Sequence, residues 1–228
     1  MYYNLNKIKR IILKEGLYNE MSQLINSFPK TLKKSKIYFI GDFNEGYFIK
    51  KNSILENLNE LMNNKTFPKK RKSLIEKENY TLQKRVKFLL SSISADKTNA
   101  FVTNLIYKTL KSEDKIDNFD YWAEKYWVIH KELLPMVDPE IILVLGNNNF
   151  EFVGSKMSNF SKFSSLHGNY KNQFSCRHLS GDIVNKKRDL IMIPDLSTLP
   201  ITQNKYKPII EWIKKYMHNE PNLQTATG

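Results

Sequence analysis

The chain has 228 residues, enough for one domain with a buried core, and its 41% hydrophobic and 26% charged content is ordinary for a globular protein. It holds no apolar stretch of the roughly 18 residues that a membrane span requires, and its start, MYYNLNKIKR, lacks the apolar region of a secretory signal, so a cytoplasmic protein is expected. Lys and Arg number 36 against 23 Asp and Glu, a net charge of +13 that favours a polyanionic partner, because each neutralised phosphate releases condensed counterions. With a single cysteine, Cys176, the chain can form no intrachain disulfide and no all-cysteine zinc or iron–sulfur site.

Taken in chain order, Leu5, Ile8, Ile12, Leu17, Met21 and Leu24 recur at steps near three or four and predict an N-terminal amphipathic helix. A first strand follows at Lys36–Gly41. Ser53-Ile54-Leu55-Glu56 and Ser73-Leu74-Ile75-Glu76 both have the S-x-x-E form of a capping box and predict two helix starts. Between them lies the densest basic run, Lys69-Lys70-Arg71-Lys72, which reads equally as a solvated turn or a phosphate clamp. A second strand is expected at Ala100–Leu105. Trp122, Tyr126, Ile129, Leu133 and Val137 then form a helical stripe ending before Pro139. The third and fourth strands are Glu140–Gly146 and Asp189–Pro194. Between these two, Gly154–Asn185 lacks clear periodicity and reads as a long irregular segment of the kind that often carries function. The last helix is expected to start at Pro208, a residue suited to a first helical position. Residues 1–218 read as one domain and 219–228 as a flexible tail.

All four strands are almost continuously apolar, as expected where both faces are covered, and they alternate with helices. A three-layer α/β/α domain with a short, mostly parallel four-stranded sheet is therefore predicted. In such sheets ligands bind beyond the carboxyl ends of the strands. The polar residues at those ends are Asp42, Asn44 and Glu45 after the first, Thr103, Asn104 and Tyr107 after the second, Asn147, Asn148 and Asn149 after the third, and Asp195, Ser197 and Thr198 after the fourth. No G-x-G-x-x-G or G-x-x-x-x-G-K-[ST] loop follows any strand, which argues against a nucleotide-phosphate site.

The order IYFIGDFNEG, FVTNLIYKT, HKELLPMVDPEIILVLGN and LIMIPDLSTLP resembles the uracil-DNA glycosylase superfamily from about Lys36 to Tyr216. That resemblance implies a single α/β domain acting as a monofunctional DNA glycosylase, which hydrolyses the N-glycosidic bond of an extruded base and needs no metal or cofactor. It implies that Asp42 or Asn44 orients the attacking water, with Glu45 a third choice, and that an aromatic among Phe43, Tyr47 and Phe48 stacks on the flipped base. It also implies that Asn104 reads the base edge. An amide suits this task because it presents a donor and an acceptor together. On the residues alone, Asn104 also reads as a strand terminator bonding its own backbone.

Two departures stand out. Asn44 occupies the usual position of a proline, and Asp195-Leu196-Ser197 stands where the family has His-Pro-Ser. An ionised Asp195 would repel the anion of leaving uracil. Either burial keeps it protonated, or it accepts from an exocyclic amine or hydroxyl, and the second option predicts a cytosine-like or modified pyrimidine as substrate. Ser197 is then a substrate contact. Arg177 and His178, with Phe160, Phe163, His167 and Tyr170, interleave basic and aromatic groups in the long segment as single-stranded DNA contacts require. His130, on the Trp122 helix, reads as structural. A monomer acting on DNA in repair, or against phage DNA with modified bases, is one expectation; a module that binds DNA or protein without catalysis is the other.

Overall fold

The computed structural model describes residues 5–15, 34–41, 81–93, 100–107, 118–167, 175–196 and 203–217. Five helices and six strands occur among them. These are α1 (Leu5–Lys14), β1 (Ile37–Gly41), α2 (Thr81–Ile93), β2 (Ala100–Asn104), α3 (Phe119–Val137), β3 (Ile141–Leu145), α4 (Asn147–Ser155), β4 (Ser158–His167), β5 (Ser175–Ile183), β6 (Lys186–Ile193) and α5 (Gln203–Met217).

The strands form one sheet in the order β2-β1-β3-β6-β5-β4. β2, β1, β3 and β6 run parallel and are the four strands that the apolar runs predict. IYFIG and IILVL are buried at every position because helices cover both faces. Tyr38, Ile40, Ile142, Val144, Leu190 and Met192 point into a core shared with α1, α3 and α4. Their neighbours Ile37, Phe39, Ile141, Leu143, Ile191 and Ile193 point into a second core shared with α2 and α5. Full burial of such side chains contributes on the order of 1.5–3 kcal/mol each, so two filled faces explain why these short strands persist.

The expected count of four strands is corrected to six. Two more, β4 and β5, lie within the segment expected to be irregular and continue the sheet antiparallel beyond β6. The physical reason is visible in β5, whose alternate buried positions include Cys176, His178 and Ser180. Burial alternates as a strand requires, but polar residues carry it, so no hydrophobic period shows. Gly181 of β5 is required where β4 shifts register, since a Cβ there would lie 2.8 Å from the carbonyl oxygen of Ser158.

α3 starts at Asn118, whose side chain accepts a hydrogen bond from the Tyr121 amide, and ends at Asp138 in the left-handed conformation with its N–H donating to the Leu134 carbonyl. The last helix begins at Gln203 instead of Pro208, so Pro208 lies inside it. A proline one turn into a helix forfeits a single backbone hydrogen bond, and burial of Tyr206, Ile209, Trp212 and Ile213 outweighs that loss. The two capping boxes and Leu17, Met21 and Leu24 lie outside the described residues. No helix among the described residues is long and apolar enough to cross a membrane.

Candidate functional site

β1 has β2 on one side and β3 on the other, and the chain proceeds outward in opposite directions from this pair. The β1/β3 boundary is therefore the topological switch point, and the crevice beyond its carboxyl edge is where an open parallel sheet offers room for a ligand. Gly41, the last residue of β1, is in register with Asn104, the last of β2. Ile40 pairs with Val144, and Leu145 with Ile193, so the chain after β3 and β6 emerges at the same edge.

Asn104 is 2% exposed. The main chain around it is held from the α3 face by a buried polar cluster. His130 Nε2 lies 3.0 Å from the Leu105 carbonyl oxygen and Nδ1 lies 2.8 Å from the Tyr38 hydroxyl. A carbonyl only accepts, so Nε2 carries the proton and the Tyr38 hydroxyl donates to Nδ1. Burial pushes His130 down to about 4, leaving a neutral ring at pH 7, and raises Tyr38 and Tyr107 far above the usual phenol range. Tyr107 stacks on the His130 ring and shares a 2.7 Å hydrogen bond with Thr103. His130 is thus a neutral structural group immediately behind Asn104.

Beyond β3, Gly146 adopts φ +74°, a turn that favours glycine, and opens α4. Asn149 folds back and donates to the Leu145 carbonyl at 2.8 Å. Beyond β6, Asp195 is exposed, which removes the burial that a protonated side chain would rely on. The next residue, Leu196, is buried, and its carbonyl accepts a hydrogen bond from Arg85 of α2.

Arg177 and His178 are both engaged by neighbouring helices in this arrangement, Arg177 partly exposed and His178 buried. Arg177 donates to Asn147 and to Glu151, the latter at 2.7 Å, and its guanidinium lies over the Phe150 ring. His178 is 1% exposed; Nε2 lies 2.7 Å from Asp189, Nδ1 lies 3.3 Å from Ser164, and Tyr216 stacks over the ring while bonding the same serine. The structure therefore groups Asn104 and Asp195 at one edge, and it lays the partly exposed Arg177 along α4 and buries His178 against α5. Asp42, Phe43, Asn44, Glu45, Tyr47, Phe48, Lys69, Lys70, Arg71, Lys72 and Ser197 lie outside the described residues.

Sequence reading passed over Gln83 and Arg85 of α2. Gln83 interrupts the apolar stripe of Val86, Leu90 and Ile93 near the carboxyl edge, and that interruption is the signal that could have found it. A cavity of about 680 Å³ opens between the start of α3 and α4, lined by Asp120, Glu124 and Glu151 among others, an acidic lining unsuited to phosphate. Among the described residues no group of three His, Cys, Asp or Glu is placed to hold a metal ion. No protein-family model matches the chain, and no characterised protein matches it in sequence.

Proposed function

We propose that this chain is a monofunctional DNA glycosylase with a uracil-DNA glycosylase-like fold, acting on a cytosine-like or modified pyrimidine. One observation carries the reading: a buried asparagine, Asn104, ends β2 in register with Gly41, the residue directly before Asp42, beside the switch point of a parallel sheet. A glycosylase must extrude its base into a pocket and read the edge of the base there, and a recessed amide in register with the residue that precedes an acid in the chain suits both reading and water activation. Asp42 or Asn44 orients the water. Asp195, exposed at the same edge, accepts from an exocyclic amine or hydroxyl. The net charge of +13 supplies attraction for the phosphate backbone.

A carboxylate at Asp195, where the resembled family carries a histidine, also favours a second reading, a DNA-binding module without catalysis. End-labelled duplex and single-stranded oligonucleotides bearing uracil, G·T mismatches and modified cytosines separate the two when treated with protein and then hot alkali. Strand cleavage is expected, falling roughly 100-fold or more in Asn104→Ala and in Asp42→Ala protein, the scale of losing one preorganised hydrogen-bonding group. Salt-dependent binding with every oligonucleotide intact would instead establish the module.

A further inference from the structure

Gln83 is the most unusual polar residue of the described fold. It is 2% exposed, and neither its Nε2 nor its Oε1 has a hydrogen-bond partner among the described residues. Buried amides are nearly always bonded, because desolvation without a partner is unfavourable. An amide left this way is open to a partner from outside the fold, an ordered water or a ligand.

Its position favours the ligand. Gln83 shares one stripe of α2 with the buried Val86, Leu90 and Ile93, and the last three belong to the core that α2 shares with the sheet. The carboxamide therefore faces the sheet. α2 ends at Ile93, shortly before β2 begins, whereas Arg85 reaches the carbonyl of Leu196 past the end of β6. The start of α2 consequently lies at the carboxyl edge. Helical side chains lean back toward the helix N-terminus, so Gln83 extends toward that edge.

Strand alternation adds the second half. Phe39 and Val102 point into the α2 core, so Gly41 and Asn104, two residues further on, belong to the same face. Gly41 places no side chain there. Gln83 and Asn104 thus approach the exit of β1 from a helix and from a strand, on one side of the sheet. Each carboxamide presents N–H donors and a carbonyl acceptor side by side, the combination that the exocyclic groups and ring nitrogen of a pyrimidine complement.

We propose that Gln83 is a ligand-reading residue of the carboxyl-edge site, its unpartnered amide taking one part of the hydrogen-bonding edge of an extruded pyrimidine whose other part meets Asn104. The proposal rests on the glycosylase reading for the identity of the ligand. Gln83→Met keeps the length of the side chain and removes its polarity. In the free protein this variant is expected to raise Tm by several degrees, since an unpaired amide leaves the core. Base release is expected to fall at least tenfold in kcat/KM, and the rise in Tm that millimolar free cytosine, uracil or 5-hydroxymethylcytosine induces in wild type is expected to vanish. A lower Tm would show that the amide is bonded within the fold and would overturn the proposal, as would unchanged base release. Should wild type release no base, the glycosylase reading fails, and the ligand-induced shift alone then judges Gln83. A shift retained in Gln83→Met, or no shift in wild type from any of the three bases, overturns the inference.

Discussion

The two ends of the sheet treat buried polarity in opposite ways. At the amino edge Asp138, in the left-handed turn after α3, receives Lys34 at 2.9 Å and Lys186, while the buried Arg188 donates to the carbonyls of Pro139, Ile183 and Lys186. Every polar group named there has a partner, and together they tie α3, the approach to β1 and the β5–β6 hairpin into one joint. At the carboxyl edge the amide of Gln83 has none among the described residues. A satisfied network stabilises a fold, whereas an unsatisfied group weakens it by about 1–3 kcal/mol. The contrast separates a structural end of the molecule from the end where the binding site is proposed.

One substitution made at both ends should therefore change stability with opposite sign. Gln83→Met is expected to stabilise, whereas Arg188→Met removes the donor to three carbonyls and should destabilise by about 3 kcal/mol or more. The midpoint of urea unfolding, with an unchanged m-value, measures it; equal effects at both ends would erase the distinction.

His130 sharpens the comparison from the other face of the carboxyl edge, because it is polar, buried and fully partnered. Its folded-state value near 4 lies below the ordinary 6.5, so the unfolded chain binds the proton more readily between those values. The contribution of neutral His130 is complete above pH 6.5 and is lost as pH falls toward 4, up to about 3 kcal/mol. Unfolding free energies at pH 7 and pH 4.5 should differ accordingly, and His130→Gln should flatten the difference.

Asp138 gives the smallest effect. Hydrogen bonds from Lys186 and Lys34 hold its carboxyl at about 2, so the ion pairs persist above the ordinary carboxylate range and are lost as pH falls toward 2. Asn tolerates the φ of 51°, which isolates the charge in Asp138→Asn. A loss of about 1 kcal/mol, shrinking in high salt, is expected from thermal unfolding. A salt-independent loss would mean that the carboxylate acts through packing.

The legible parts of the fold were those where burial and hydrophobicity coincide. The four parallel strands and the α3 stripe were readable because apolar side chains fill the buried positions. β4 and β5 were hidden because buried positions of β5 carry His178 and Ser180, with His178 satisfied by Asp189 and Ser164, inside a strand pattern that hydropathy cannot register. The start of α5 was misplaced because local preference put Pro208 at a first turn, while packing of Tyr206 extended the helix past it. Asn104 stood out as a polar residue ending an apolar run. Gln83 did not, since its meaning depends on what surrounds its amide.

By itself the sequence determined the three-layer class, the parallel core and the edge at which polar residues gather, since these follow from periodicity and strand ends along the chain. Tertiary structure alone decided that Arg177 is taken up by α4 and His178 is buried against α5, that His130 stays neutral behind Asn104, and that Gln83 faces the same side of the sheet as Asn104. Pairing and desolvation depend on neighbours that are distant in sequence, and no local pattern encodes them.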